Sequence, residues 1–212
     1  MTERRLRRAL LATARRMGAL GLNTGTSGNV SVRFGDGLLI TPSGRPYDRC
    51  TPGDMVELGR DGTPRGSGRP SSEWRFHRDI LAARVDAGAV VHAHSPFCTA
   101  LSCLERGLPA FHYMVAVAGG ADIRCAGYAT FGTQALSDAA LAALDGRRAC
   151  LLAHHGMIAI GRDLEAALAL AVEVEGLAAQ YMRCLQVGEP SVLAADEMTR
   201  VLGAFSGYGK PR

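Results

Sequence analysis

Residues 70–94, PSSEWRFHRDILAARVDAGAVVHAH, decide the architecture of the chain. The first half has the spacing of a helix: Trp74, His77, Ile80, Leu81 and Val85 form one stripe, and Ser71-Ser72 precede it as capping candidates. Gly88 closes that helix. Ala89-Val90-Val91-His92-Ala93 then has the length and unbroken apolar character of a buried strand. A helix over residues 72–86 carries the chain roughly 21 Å, at about 1.5 Å per residue. A strand over residues 89–94 brings it back roughly 17 Å, at about 3.3 Å per residue. Packed antiparallel, the two return Glu73 to the side of His92 and His94.

The rest of the chain extends this unit. Arg4, Arg5, Arg7, Arg8, Arg15 and Arg16 give the N-terminus a transit-peptide look, but Leu6, Leu10, Leu11, Ala14 and Met17 fall between them at helical spacing. The reading is an amphipathic first helix with a solvated basic face, ending at residues 18–21. Turn formers fill residues 23–29. Val30 and Val32 then alternate with Ser31 and Arg33 as a strand, Gly35-Asp36-Gly37 marks a hairpin, and residues 38–41 return. A short strand at 55–58 precedes a polar loop at 61–69. Ser95-Pro96 opens a helix that Gly107 ends. Residues 150–153 and 157–160 read as strands broken by His154-His155-Gly156. Asp163 caps a long helix that Gly188 terminates, and a short helix spans 196–205. Without a strict βαβ repeat, the expected class is α/β: a mixed, largely antiparallel central sheet flanked by helices, in a single domain over 1–212.

Composition narrows the function. A chain of 212 residues buries about 70% of its unfolded surface, so neither disulfide nor metal is needed for folding alone. Hydrophobic residues at 47% and charged residues at 21% exclude a disordered or fibrous chain. No apolar run reaches the roughly 18 residues of a membrane span, and a net charge of +4 is too small for a duplex-binding stripe. Neither nucleic acid nor membrane is an expected partner. The six cysteines, Cys50, Cys98, Cys103, Cys125, Cys150 and Cys184, form no CxxC and read as reduced thiols of a cytoplasmic protein.

The histidines carry the chemistry. His92 and His94, two apart on a strand, project from one face and can converge on one ion. His155 lies in a strand break, where the following glycine is expected to let the backbone turn. Three imidazoles with an open position make a catalytic metal site; the bland alternative is a set of hydrogen-bonded strand-end histidines. Glu73 adds a carboxylate that can ligate or act as general acid and base, although alone it reads as a first-turn residue complementing the helix dipole. Ser71 and Ser72 stand at a helix start, where free N–H groups bind phosphate. The loops at Gly28-Asn29 and Ser43-Gly44 can add donors or be plain turns. Other HxH sites fit poorly. Pro96 occupies the place where a metallo-β-lactamase-like hydrolase needs aspartate, the next glutamate for a cupin-like site is Glu105 inside a helix, and an amidohydrolase barrel needs about 250 residues. His77 and His112 are expected to be structural, and His154, next to a candidate ligand, is either a residue supporting that ligand or a structural one.

Seven motifs in order resemble the class II aldolase/adducin family, its fuculose-phosphate-cleaving members nearest. They are GTSGNVS at 25–31, ITPSG at 40–44, PSSEWRFH at 70–77, VVHAH at 90–94, HYM-V-AGG at 112–120, YATFGT at 128–133 and HHG at 154–156. The resemblance implies one Zn2+ per subunit, or another divalent ion, held by His92, His94, His155 and Glu73. It implies that Glu73 is also the acid–base group, that Gly28, Asn29, Ser43, Gly44, Ser71 and Ser72 hold a phosphate, and that Phe131 and Tyr208 flank the aldehyde. It further implies a homotetramer with sites at subunit interfaces, Tyr113 serving a neighbour's site. The implied reaction is reversible cleavage of a ketose 1-phosphate of the L-fuculose 1-phosphate type to dihydroxyacetone phosphate and an aldehyde such as L-lactaldehyde. Residues 204–207 depart from the fuculose pattern, which leaves 5-deoxyribulose 1-phosphate and 5-methylthioribulose 1-phosphate open as substrates of an aldolase, or the latter of a dehydratase. A ribulose-5-phosphate 4-epimerase would tend to carry aspartate in place of Glu73 and lysine in the Ser43 loop, and a non-catalytic adducin-like interaction domain would have lost metal ligands.

Overall fold

Strand β5 (Ala89–Ala93) is the axis of the structure, a computed structural model that describes residues 2–207. It pairs antiparallel with β1 (Asn29–Phe34) on one side and β8 (Gly156–Gly161) on the other. Beyond β1 follow β2 (Gly37–Ile40), β3 (Val56–Leu58) and β4 (Pro64–Arg65); beyond β8 follow β7 (Ala149–Leu152) and β6 (Arg124–Ala126). Only the β6–β7 pair is parallel, so the eight-stranded sheet is mixed and largely antiparallel, as the sequence predicts.

Strand alternation sorts the side chains into two cores. Val30, Leu39, Val91, Ala93, Met157 and Ala159 face α1 (Glu3–Ala19), α3 (Pro96–Cys103), α5 (Leu164–Val187) and α6 (Ala195–Gly207). Leu38, Ile40, Val90, Ile158 and Ile160 face Phe76 and Ile80 of α2 (Trp74–Ala83) and Leu136 and Ala140 of α4 (Gln134–Ala143). Each large apolar side chain so buried contributes about 1.5–3 kcal/mol. Among the described residues no helix is long and apolar enough to cross a membrane.

Several local expectations change. Helix α2 is shorter than the span 72–86. Glu73 occupies the N-cap position, and Arg84 leaves the helix in an extended conformation (φ −113°, ψ 98°), its guanidinium donating to the carbonyls of Leu144 and Arg147. The loop at 61–69 contains the edge strand β4, and α4, capped by Thr133, is an element the sequence reading lacks. Ser95 stands at the start of α3 without capping it. Its hydroxyl donates instead to Glu175 of α5 at 2.7 Å, and the same carboxylate accepts from the backbone N–H groups of Phe97 and Cys98, both at 2.9 Å. A side chain from α5 therefore caps α3, one residue after His94.

Glu175→Ala should strand those three donors and lower unfolding free energy by about 2–3 kcal/mol in urea titrations, with Glu175→Gln losing less because it keeps one acceptor oxygen. Equal midpoints for wild type and Glu175→Ala would contradict this role.

Candidate metal centre

The β1–β5 register places Asn29 directly opposite His92, with Ser31 two residues along on the same face. His92 is fully buried, and its Nδ1–H donates to the carbonyl of Met157 at 2.9 Å. This fixes the tautomer and leaves Nε2 as a lone pair. His94, just past the end of β5, brings its Nε2 to 2.9 Å from that of His92. His155 enters from the β7–β8 turn. The backbone turns at His154, with φ 55°, and not at the glycine. Gly156 is needed for a different reason: a Cβ there would lie 2.4 Å from the Ala93 carbonyl, so only glycine lets β8 approach β5 this closely. The three rings stand in mutual edge contact with every pair of centroids 4.8 Å apart.

Glu73 completes the cluster. Its Oε2 lies 3.2 Å from His92 Nε2 and its Oε1 3.0 Å from His155 Nε2. One ligand atom from each of Glu73, His92, His94 and His155 falls within 4.8 Å of all the others. These residues fit a divalent cation. Glu73 Oε1 is buried and accepts no hydrogen bond, and the lone pair on His92 Nε2 faces a second imidazole nitrogen and a carboxylate. Three imidazoles and one carboxylate are a donor set suited to zinc. Burial would push the Glu73 carboxyl up; the adjacent His92 and His155 rings outweigh it and hold the group well below the usual carboxylate range. Burial, with repulsion from His92 and His155, lowers His94 to about 4.

Behind Glu73 lies a buried polar string. Asn29 Nδ2 donates one hydrogen to Glu73 Oε2 at 2.9 Å, and Asn29 Oδ1 sits 2.5 Å from His77 Nε2. His77 Nδ1 is 2.7 Å from the Ser31 hydroxyl. Burial, aided by repulsion from His92, lowers His77 to about 3.

A cavity of about 350 Å³ opens in front of the cluster, large enough for a small sugar phosphate. Gly28, Asn29, Ser43, Gly44, Ser71 and Ser72 line it together with Glu73, His94 and His155, so the three segments expected from the sequence to hold a phosphate meet at the histidine cluster. Phe131 lines the outer wall and is 66% exposed. Tyr113 is absent from the lining. It is half exposed on a 3-10 helix (Tyr113–Ala118), stacked on His112. Tyr208 lies outside the described residues. Sequence reasoning missed Tyr47, Tyr128 and the wall position of His154. Tyr47 donates its hydroxyl to the Gly28 carbonyl at 2.7 Å, steadying a glycine that must hold φ 71° beside Asn23, and burial pushes its phenol up to about 12. Tyr128, first residue of the YATFGT stretch, was the legible one. His154 Nε2 lies 3.2 Å from Glu105 Oε1.

Comparison with known proteins follows the same lines. The family described as Class II Aldolase and Adducin N-terminal domain matches residues 8–182. A 5-methylthioribulose-1-phosphate/5-deoxyribulose-1-phosphate aldolase of Rhodospirillum rubrum is 64% identical over 204 residues, covering 96% of this chain and 92% of the relative. An L-fuculose phosphate aldolase of Escherichia coli is 50% identical over 210 residues, covering 99% and 98%. A solved L-fuculose 1-phosphate aldolase superposes with a TM-score of 0.92 at 39% identity, over 95% of this chain and 96% of that one.

The depressed pKa of His77 gives a signed stability prediction for metal-free protein. The folded state keeps this ring neutral down to about pH 3, whereas the unfolded chain protonates it below about pH 6.5. Its contribution is therefore present above pH 6.5 and lost as pH falls. In chelator, unfolding free energy should drop by about 2 kcal/mol on this account between pH 7 and pH 5. His77→Gln should flatten the dependence; an unchanged slope in that variant would refute the assignment.

Proposed function

The chain belongs to the class II aldolase and adducin family, and from that premise we propose that it cleaves 5-methylthioribulose 1-phosphate or 5-deoxyribulose 1-phosphate to dihydroxyacetone phosphate and a two-carbon-chain aldehyde. The enzyme is an aldehyde-lyase of the metal-dependent class. The observation that carries the reading is Glu73, which belongs at once to the imidazole cluster and to the cavity that gathers the phosphate-binding segments. The choice of substrate rests on similarity: the sequence motifs point first to L-fuculose 1-phosphate, but 64% identity to the methylthioribulose-phosphate enzyme against 50% to the fuculose enzyme reverses that order. L-Fuculose 1-phosphate, yielding L-lactaldehyde, is the second reading. Glu73 in place of aspartate and Ser43 in place of lysine speak against the epimerase, and an intact ligand set against an adducin-like binding module.

Cleavage removes the proton from the C4 hydroxyl, breaks C3–C4 and leaves an electron pair on the C2–C3 enediolate, which takes a proton at C3. Zinc held by His92, His94 and His155 would supply Lewis-acid stabilisation of that charge. Ser71 and Ser72, just ahead of α2, would hold the phosphate together with Ser43, Gly28 and Gly44 from two loops, through hydroxyls and backbone N–H groups. Asn29 reaches the same pocket from behind, with one of its amide hydrogens already committed to Glu73. Glu73, kept ionised and desolvated, moves the proton at C3. Phe131 walls the aldehyde end, with Tyr208 reaching over it. Tyr113, half exposed and absent from the lining of its own cavity, would serve the aldehyde oxygen of a neighbouring subunit in the cyclic tetramer that the family resemblance implies, and we place the protein in the cytoplasm.

A coupled assay for dihydroxyacetone phosphate across the three ketose 1-phosphates should give the highest kcat/KM with the 5-modified pentulose phosphates. Failure to release it from any of them sinks the aldolase reading. Glu73→Gln should retain one equivalent of zinc while kcat falls about 100- to 10,000-fold; full turnover in that variant would remove Glu73 from the chemistry.

A further inference from the structure

We propose that His77, a residue with no access to the cavity, is a positioning residue that orients Glu73 through Asn29. The inference rests on the acid–base role given to Glu73 above.

The sequence makes the arrangement possible in two places. Glu73 and His77 are four residues apart at the start of α2, and so lie on one side of it. Asn29 and Ser31 are two apart on β1, and so lie on one face of the sheet, the face α2 covers. Packing the helix on the sheet brings two polar pairs together in an otherwise apolar layer. Ser31, His77, Asn29 and Glu73 are all buried, and they are joined end to end at 2.7, 2.5 and 2.9 Å.

The chemistry of the four groups fixes the direction of every hydrogen bond. Asn29 presents its Nδ2 to Glu73 Oε2 and its Oδ1 to His77. That carbonyl oxygen can only accept, so His77 Nε2 must carry the ring proton. In the neutral ring Nδ1 is then an acceptor, and the Ser31 hydroxyl donates to it. Each donor in the string points toward Glu73. His77 thereby decides which end of the Asn29 amide meets Oε2. An amide turned by half a rotation would set a carbonyl oxygen against the carboxylate. With Nδ2 in place, Oε2 is held between Asn29 and His92, and Oε1, which accepts no hydrogen bond, is turned toward His155.

The test uses full-length, zinc-loaded enzyme. His77→Leu fills the space without a donor, and His77→Gln restores an N–H toward Asn29. His77→Leu should lose kcat about 10- to 100-fold with KM within about twofold of wild type and zinc still at one equivalent; His77→Gln should recover most of the loss. Unchanged kcat in His77→Leu would overturn the proposal, as would a loss that merely tracks zinc content or the folded fraction. Nitrogen-15 NMR of labelled wild-type protein gives a readout independent of turnover. His77 should appear as the Nε2–H tautomer, and the Asn29 side-chain amide should exchange slowly in wild type and His77→Gln but fast in His77→Leu. An Nδ1–H tautomer, or equal exchange in all three, refutes the string even if no ketose 1-phosphate proves to be a substrate. If wild type cleaves none while the NMR pattern holds, the aldolase reading fails and the positioning of Glu73 stands.

Discussion

The pairing of Asn29 with His92 across the β1–β5 ladder is the constraint on which the rest of the site depends. A sheet face covered by a helix is an apolar place, and this one is lined by Leu38, Ile40, Val90 and Ile158. Setting an amide and an imidazole side by side there is costly unless every polar atom finds a partner. Partners arrive from three directions: Met157 on β8, Glu73 and His77 on α2, and Ser31 on β1 itself. A slip of one residue in β1 would turn Asn29 and Ser31 to the opposite core and take the Asn29 amide away from the Glu73 carboxylate.

The same economy explains why the cluster is rigid on one side. Behind Glu73 the contacts are directional and buried; in front of it lie three imidazoles, with the lone pair of His92 Nε2 turned into the cluster. The clustered imidazoles come from the end of β5 and the β7–β8 turn, both held in place: Gly156 lies against Ala93, and Glu175 secures the residues that follow His94. Of the three segments expected to hold a phosphate, those at Ser43 and Ser71 are joined by main-chain bonds, Ser43 N–H to the Arg69 carbonyl and Ser71 N–H to the Thr41 carbonyl, and the one at Gly28 is steadied by the Tyr47 hydroxyl.

Much of this was legible in residues 70–94. The strand period put His92 and His94 on one side, and the lengths of helix and strand returned Glu73 to them. What escaped the sequence depends on contacts distant along the chain. The left-handed residue of the HHG stretch is His154 because Gly156 is required elsewhere, against Ala93. Helix α4 was missed because its run of alanines has no strong apolar stripe, and β4 because two exposed residues on an edge carry no pattern. His77 looked like an ordinary member of a helical stripe, since periodicity reports which side a residue faces and not whether a hydrogen-bond partner waits there. Tyr113, which the resemblance implies serves a neighbour's site, is half exposed and absent from the cavity lining.

The cavity wall has an evolutionary consequence. Tyr128 and Phe131 are each about two-thirds exposed, so exchanging them disturbs little packing and costs little stability. The groups at the other end of the cavity are interlocked with the sheet and tolerate almost no change. A lineage built on this scaffold can therefore reshape the mouth of the cavity by drift at the rim, while the buried cluster behind it stays under the far stricter discipline of folding.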